Sequence, residues 1–118
     1  MESVTIHNLK DKTAQEVVNF VKDHLLKQGC KSEKRSETGK ITCLYRGPNG
    51  TKCAAGCLIP DEDYKPDMEH GKWSSVSMNY GFERKHIYLI SDLQYIHDNV
   101  EVEEWEKAID KMDLTLYQ

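Results

Sequence analysis

The sequence contains no long hydrophobic run. No N-terminal apolar stretch resembles a signal peptide, and no segment approaches the length of a membrane span. Hydrophobic residues make up 38% of the chain and charged residues 31%, which indicates a heavily solvated surface. We therefore predict a cytoplasmic protein that does not associate with membranes.

An excess of positive charge is also missing. The formal net charge is −4, and a dedicated nucleic-acid binder needs a basic footprint to contact phosphates. Nucleic acid is therefore disfavoured as a partner. The charge is nevertheless uneven, because Lys31 to Lys52 carries six basic and two acidic residues, whereas Asp98 to Asp113 carries seven acidic residues and two lysines. Such asymmetry can steer a partner, although solvated faces are the commoner explanation.

No Cys-x-x-Cys motif occurs in the sequence. The four cysteines are Cys30, Cys43, Cys53 and Cys57. In a cytoplasmic protein they are expected to be free thiols, and no histidine stands at zinc-knuckle spacing. We predict no metal and no cofactor. One alternative stays open, a site made by Cys43, Cys53 and Cys57 with His70 or His97.

The length of 118 residues predicts a single domain, residues 1–118, with one hydrophobic core. A capping box at Thr13-Ala14-Gln15-Glu16 precedes an apolar stripe at helical spacing, and Gly29 follows it. The predicted helices are about Thr13–Gln28, Trp73–Met78, Glu83–His97 and Glu101–Met112. The fold class is α+β, a small antiparallel sheet of about three strands with a central β-hairpin, packed by about four helices.

The central hairpin is predicted around Pro48-Asn49-Gly50, where proline and glycine suit a three-residue turn. If Gly47 and Thr51 flank the turn, alternation places one face of both strands in the core. The expected cross-strand pairs are Tyr45 with Cys53, Cys43 with Ala55, and Ile41 with Cys57. An outer strand near Cys30–Arg35 would pair with Ile41–Arg46. A competing interpretation makes Cys53–Leu58 a short helix.

Small residues in the second strand indicate close approach to its backbone near Ala54 and Gly56. The approaching group is either a packed helix or a ligand or partner segment. Pro60 is followed by an acidic loop that carries Asp61 and Glu62, which would lie at the exit of this strand.

Two stretches resemble small, largely uncharacterised proteins of bacteria and tailed phages. The first is Tyr45–Tyr64, read as YRGPxGxKCAxGCLIPDExY, and the second is Leu93–Asp98, read as LQxxHD and followed by Trp105. The resemblance implies a bacterial or phage protein in the bacterial cytoplasm, with no established activity. A phage origin would favour a factor that binds and inhibits a host protein, including a defence component.

The leading functional hypothesis is a small interaction protein that binds another macromolecule through the hairpin and the acidic loop. The candidate binding residues are Arg46, Lys52, Asp61, Glu62, Tyr64, His97 and Asp98. A protein partner is expected, and homodimerisation stays open because an edge strand would permit it.

The alternative function is a small-ligand-binding protein or a cysteine-dependent enzyme with a cleft around Cys53, Asp61 and His97. Cysteine chemistry needs a thiolate activated by a nearby histidine. The predicted strand directs Cys53 into the core, where a thiol is inert, so no catalytic residue is assigned.

Overall fold

The computed structural model describes residues 3–70, 73–77 and 82–117. Its helices and strands, in chain order, are α1 (Ala14–Gln28), β1 (Glu33–Arg35), β2 (Ile41–Cys43), α2 (Trp73–Val76), α3 (Arg84–Asn99) and α4 (Trp105–Asp110). Short 3-10 turns connect them. The predicted α+β class is confirmed, but the counts differ. The described residues form two strands rather than three, and three of the helices exceed a single turn.

The capping box begins α1 as its sequence predicts. Thr13 Oγ1 accepts the Glu16 amide at 3.2 Å, and Glu16 Oε1 accepts the Thr13 amide at 3.0 Å. At the other end Gly29 adopts φ +69°, the left-handed conformation that ends a helix. Local signals alone therefore set both ends of this element.

Apolar stripes on the helices build the core. The buried residues of α1 are Val17, Val18, Val21 and Leu25, and those of α3 include Leu89, Ile90, Leu93 and Ile96. Trp105 of α4 is fully buried and stacks on the His97 imidazole, with ring centroids 5.6 Å apart. Trp73 of α2 is buried as predicted, whereas Met78 lies outside the described residues.

The sheet is the two-stranded hairpin of β1 and β2. Glu33 pairs with Cys43 and Arg35 with Ile41 in antiparallel register. The predicted outer strand is therefore present, although it is shorter than expected. We call residues 31–43 the basic hairpin, because Lys31, Lys34, Arg35 and Lys40 all lie on it.

The predicted turn is present, but the strand predicted to follow it is not. Asn49 and Gly50 take φ values of +59° and +76°, and the Gly47 amide donates to the Thr51 carbonyl at 2.8 Å. Beyond Thr51 the chain does not return along β2. None of the three predicted pairs, Tyr45 with Cys53, Cys43 with Ala55 and Ile41 with Cys57, forms a ladder rung.

Residues 53–58 coil instead into turns and a 3-10 segment, Gly56–Leu58. The Cys57 amide donates to the Cys53 carbonyl at 3.0 Å, and the Leu58 amide donates to the Ala55 carbonyl at 3.1 Å. Alternation misled the prediction, because Cys53, Ala54, Ala55 and Leu58 are all fully buried and neither face is polar. The competing helical interpretation was nearer the truth.

The predicted close approach to Gly56 is real, and the approaching group is the chain itself. A Cβ added at Gly56 would lie 2.3 Å from the Tyr45 carbonyl oxygen. Neither a helix nor a ligand is needed to explain the missing side chain. Gly56 lets the segment after β2 pack directly on residues 53–58.

Candidate functional site

The predicted binding residues belong to separate hydrogen-bonded groups. We call the first the loop junction, and it contains Arg46, Lys52, Asp61, Tyr64 and Glu69. The second, the α3 cluster, contains Cys43, Gln94, His97 and Asp98. Glu62 is exposed beside the loop junction.

Arg46 is the centre of the loop junction. Its guanidinium donates to the Gly56 carbonyl at 2.8 Å, to the Ile59 carbonyl at 2.6 Å and to Asp61 Oδ1 at 3.0 Å. The same group lies 5.0 Å above the ring centroid of Tyr64, a favourable cation–π distance. Only 18% of the side chain is exposed. Arg46 therefore ties the 53–61 segment to the end of β2.

Glu69 completes the loop junction, although the sequence did not single it out. Its carboxylate accepts the Tyr45 amide at 2.8 Å, the Arg46 amide at 3.0 Å and the Tyr64 hydroxyl at 2.7 Å. Burial, together with this carboxylate, raises the pKa of Tyr64 to about 12. No local motif links a glutamate in an acidic loop to amides more than twenty residues earlier, so the sequence carried no signal for this contact.

Lys52 and Asp61 lie at the edge of the loop junction. Lys52 Nζ is 3.9 Å from Asp61 Oδ1, and the Asp61 side chain is 85% exposed. The backbone of Lys52 is held by α1, since its amide donates to Gln28 Oε1 at 2.8 Å and its carbonyl contacts His24 Nε2 at 2.9 Å. Burial lowers the pKa of His24. The carboxylate of Asp61, and that of Glu62 beside the group, face solvent.

The α3 cluster surrounds the buried imidazole of His97. The Ser32 amide donates to Nε2 at 3.0 Å, so Nε2 carries no proton in this arrangement. Nδ1 then holds the proton and donates to Asp98 Oδ1 at 2.7 Å. Burial lowers the pKa of His97, while Asp98 and Cys43 raise it. The Ser32 contact favours the neutral ring. In an imidazolium the Nε2–H would point directly at the Ser32 amide N–H, and this hydrogen bond could not form.

The α3 cluster does not have the geometry of a cysteine hydrolase. In such enzymes one imidazole nitrogen faces the thiol and the other faces the orienting carboxylate. Here Nδ1 faces both, with Cys43 Sγ at 3.7 Å and Asp98 Oδ1 at 2.7 Å. The neighbouring Cys53, followed by burial, raises the pKa of Cys43 far above its ordinary value. Cys53 itself is fully buried, and no thiol of this group is activated.

The same three side chains are close enough to consider a metal. The ligand atoms of Cys43, His97 and Asp98 lie within 4.8 Å of one another. Ligation through Nδ1 would move the imidazole proton to Nε2, directly against the Ser32 amide. Cys57 is engaged elsewhere, since its thiol donates to the Ala54 carbonyl at 3.1 Å, and the side chain of His70 lies outside the described residues. This geometry fits a hydrogen-bonded cluster better than a metal centre.

Gln94 links the two stretches of the family resemblance. Its amide nitrogen donates to Cys43 Sγ at 2.9 Å and to Asp98 Oδ1 at 2.8 Å, and its carbonyl oxygen accepts the Ala55 amide at 3.0 Å. Ala55 belongs to the first stretch and Gln94 to the second. The order Gln-x-x-His-Asp places all three polar side chains at the same end of α3, which was the available sequence signal.

Comparisons of this chain with protein-family models, curated proteins and solved structures give no significant match. Among the helices that the structure describes, none is long and apolar enough to cross a membrane. The resemblance to bacterial and phage proteins therefore stays a prediction from the two sequence stretches.

Proposed function

We propose that this protein is a protein-binding module that contacts its partner through the basic hairpin. The observation that carries the proposal is the free backbone of the two-stranded sheet. A sheet edge with unpaired amide and carbonyl groups is a ready template for an extended segment of another protein.

The hydrogen-bonding rungs indicate which groups are free. The Leu44 amide donates to the Ser32 carbonyl, and the Ser36 amide donates to the Lys40 carbonyl. The backbone groups of residues 32, 34 and 36 therefore face β2, and those of Glu33 and Arg35 face outward. Within the described ranges, these outward groups have no hydrogen-bond partner.

The side chains on the basic hairpin indicate the chemistry of the partner. Lys34, Arg35 and Lys40 are exposed, and Ile41 is 48% exposed beside them. An extended segment with acidic side chains and one apolar residue would complement this surface. The exposed carboxylates of Asp61 and Glu62 are a second proposed contact, for basic groups of the same partner.

The polar groups of the loop junction and the α3 cluster support the choice of a surface over a pocket. Arg46, Tyr64 and His97 each have hydrogen-bond partners within the chain. In the proposed role these residues hold the hairpin in place rather than touch a ligand. The further expectation of a host defence protein as partner rests on the resemblance alone.

The test is affinity capture with the full chain in a bacterial lysate, followed by measurement of the dissociation constant with the purified partner. Arg35→Pro removes the outward amide and leaves the rungs to β2 in place. We expect it to weaken binding by about tenfold or more, whereas the matched Arg35→Ala variant, which loses only the charge, should be affected less.

The role of charge is tested separately with the double variant Lys34→Glu/Arg35→Glu. Its control is Lys107→Glu/Lys111→Glu, which changes the net charge by the same amount at exposed positions in the C-terminal region. The hairpin pair should abolish capture and the C-terminal pair should not. A partner bound equally by all variants would refute the proposal. If capture recovers no other protein, and the chain forms a dimer that Arg35→Pro disrupts, the occupant of the hairpin edge is a second copy of this chain.

A further inference from the structure

A second surface, unrelated to the basic hairpin, is an open cleft of about 600 Å³ between the first turns of α1 and α3. We call it the helix-start cleft. Its polar wall includes Lys10, Lys12, Lys85 and His86, and its apolar wall includes Leu89 and Leu114. The volume is within the range of small-molecule sites.

Both long helices begin at this cleft. Thr13, Ala14 and Gln15 line it at the start of α1, and Lys85 and His86 line it at the start of α3. The first backbone amides of a helix have no acceptor within the helix, and the helix dipole favours negative charge there. The capping box occupies the Glu16 amide, whereas Glu83 gives α3 no side-chain cap. Two helix starts at one cleft are a favourable setting for an anion.

His86 is the independent observation that points to a ligand. Only 5% of this residue is exposed, and it forms part of the cleft wall. Among the described residues it has no hydrogen-bond partner. The His86 nitrogens are not among the fully sealed, unpartnered side-chain atoms of the described residues, so they reach the solvent-accessible surface. An imidazole in the wall of an open cleft, with no partner among the described residues, is available to hydrogen-bond a ligand.

The charges around the cleft agree with an anion. Lys10 and Lys85 line it, together with Lys12, which already has an interaction partner, against one acidic residue, Asp11. Lys85 Nζ lies 3.5 Å from Glu83 Oε2, and its side chain is 41% exposed, so this ion pair is a weak competitor. A dianion would gain more from such a set of lysines than a monoanion.

We propose that the helix-start cleft binds a small phosphate monoester. The phosphate lies against the starts of α1 and α3, within reach of the lysines, and His86 supplies a further hydrogen bond. The apolar part of the ligand rests on Leu89 and Leu114. The site is independent of the partner-binding hairpin and of the α3 cluster.

The test is a chemical-shift titration of the full chain at constant ionic strength with phenyl phosphate, inorganic phosphate and benzoate. Phenyl phosphate should shift the amides of Ala14, Gln15 and Lys85 and the imidazole signals of His86 saturably. Its affinity should exceed that of inorganic phosphate and of benzoate by about tenfold or more. Equal binding of benzoate would overturn the phosphate assignment, and shifts confined to Lys34, Arg35 and Lys40 would overturn the site.

Matched variants decide which residues hold the ligand. Lys10→Ala/Lys85→Ala should weaken phenyl phosphate by about tenfold, while Lys27→Ala/Lys107→Ala, with the same loss of charge at exposed sites, should leave it unchanged. His86→Gln, which keeps a hydrogen-bonding side chain, should bind more tightly than His86→Leu. Equal affinity in the two lysine pairs would refute the proposal. Arg35→Pro should not alter this titration, so failure of either proposal leaves the other standing.

Discussion

Arg46 and Arg35 are the same residue in two opposite settings. Arg46, in the loop junction, is surrounded by two backbone carbonyls, the Asp61 carboxylate and the Tyr64 ring. Arg35, on the basic hairpin, is exposed and lies opposite Ile41 in a pair without hydrogen bonds between them. In the loop junction positive charge stabilises the fold, whereas on the hairpin it faces solvent. Parallel substitutions in the two regions test this difference.

The largest contrast is expected for glycine. Gly56→Ala would place a Cβ 2.3 Å from the Tyr45 carbonyl oxygen, and the backbone on both sides must move, so we expect a loss of about 3 kcal/mol in the free energy of unfolding. Gly39→Ala, in the hairpin turn, meets no atom within 4 Å but has a φ of +86° and should lose about 1 kcal/mol. Urea denaturation measures both. Equal losses would show that the close contact at Gly56 relaxes freely.

Substitutions of the two arginines should differ in their effect on the free energy of unfolding by slightly less than the two glycine substitutions do. Arg46→Met keeps the apolar stem but leaves the Gly56 and Ile59 carbonyls without their donor, which should lower the free energy of unfolding by about 2 kcal/mol. Arg35→Met should change it by less than about 0.5 kcal/mol. Arg46→Lys serves as a control for charge, since it cannot reproduce the forked contacts. A stable Arg46→Met variant would contradict the role assigned to the loop junction.

Tyr64 gives the loop junction a pH dependence that the hairpin should lack. Burial and Glu69 raise the pKa of Tyr64 from 10.0 to about 12, so the folded protein holds this proton more tightly than the unfolded chain. The resulting stability is fully present below pH 10 and is lost as the pH rises through about 12. Tyr64→Phe should lose about 1 kcal/mol at neutral pH and show a shallower decline in alkali. Urea denaturation measures the free energy of unfolding of the wild type and of Tyr64→Phe at each pH. If the two values decline in parallel as the pH rises, the assignment is refuted.

The same two regions explain how much of the molecule the sequence could predict. The capping box, the Gly29 stop and the turn at Pro48-Asn49-Gly50 depend on residues within a few positions of one another, and all were predicted. The path of residues 53–58 depends on burial of both faces and on the Tyr45 backbone, which no local pattern encodes. Polar contacts divide in the same way, into local ones that the sequence indicated and distant ones that it did not.

His97-Asp98 was recognisable because the two residues are adjacent. The Ser32 amide that determines the His97 tautomer is sixty-five positions earlier in the chain, and Glu69 reaches the Tyr45 amide across twenty-four positions. Contacts of this kind follow from the tertiary fold rather than from spacing. The sequence therefore located the candidate residues more successfully than it predicted what each of them contacts.

The smallest effect isolates packing from charge. Ile59→Val, at the residue whose carbonyl accepts from Arg46 of the loop junction, removes one methyl group from a residue that is 1% exposed. It should lower the free energy of unfolding by about 1 kcal/mol. Ile41→Val on the hairpin removes the same methyl group from a side chain that is 48% exposed. Valine suits a strand as well as isoleucine does, so stability should change by less than about 0.3 kcal/mol. If Ile41→Val instead destabilises the chain as much as Ile59→Val, Ile41 is covered in solution. The hairpin face would then already be occupied, by a second copy or by the chain itself, and would not be free for the proposed partner.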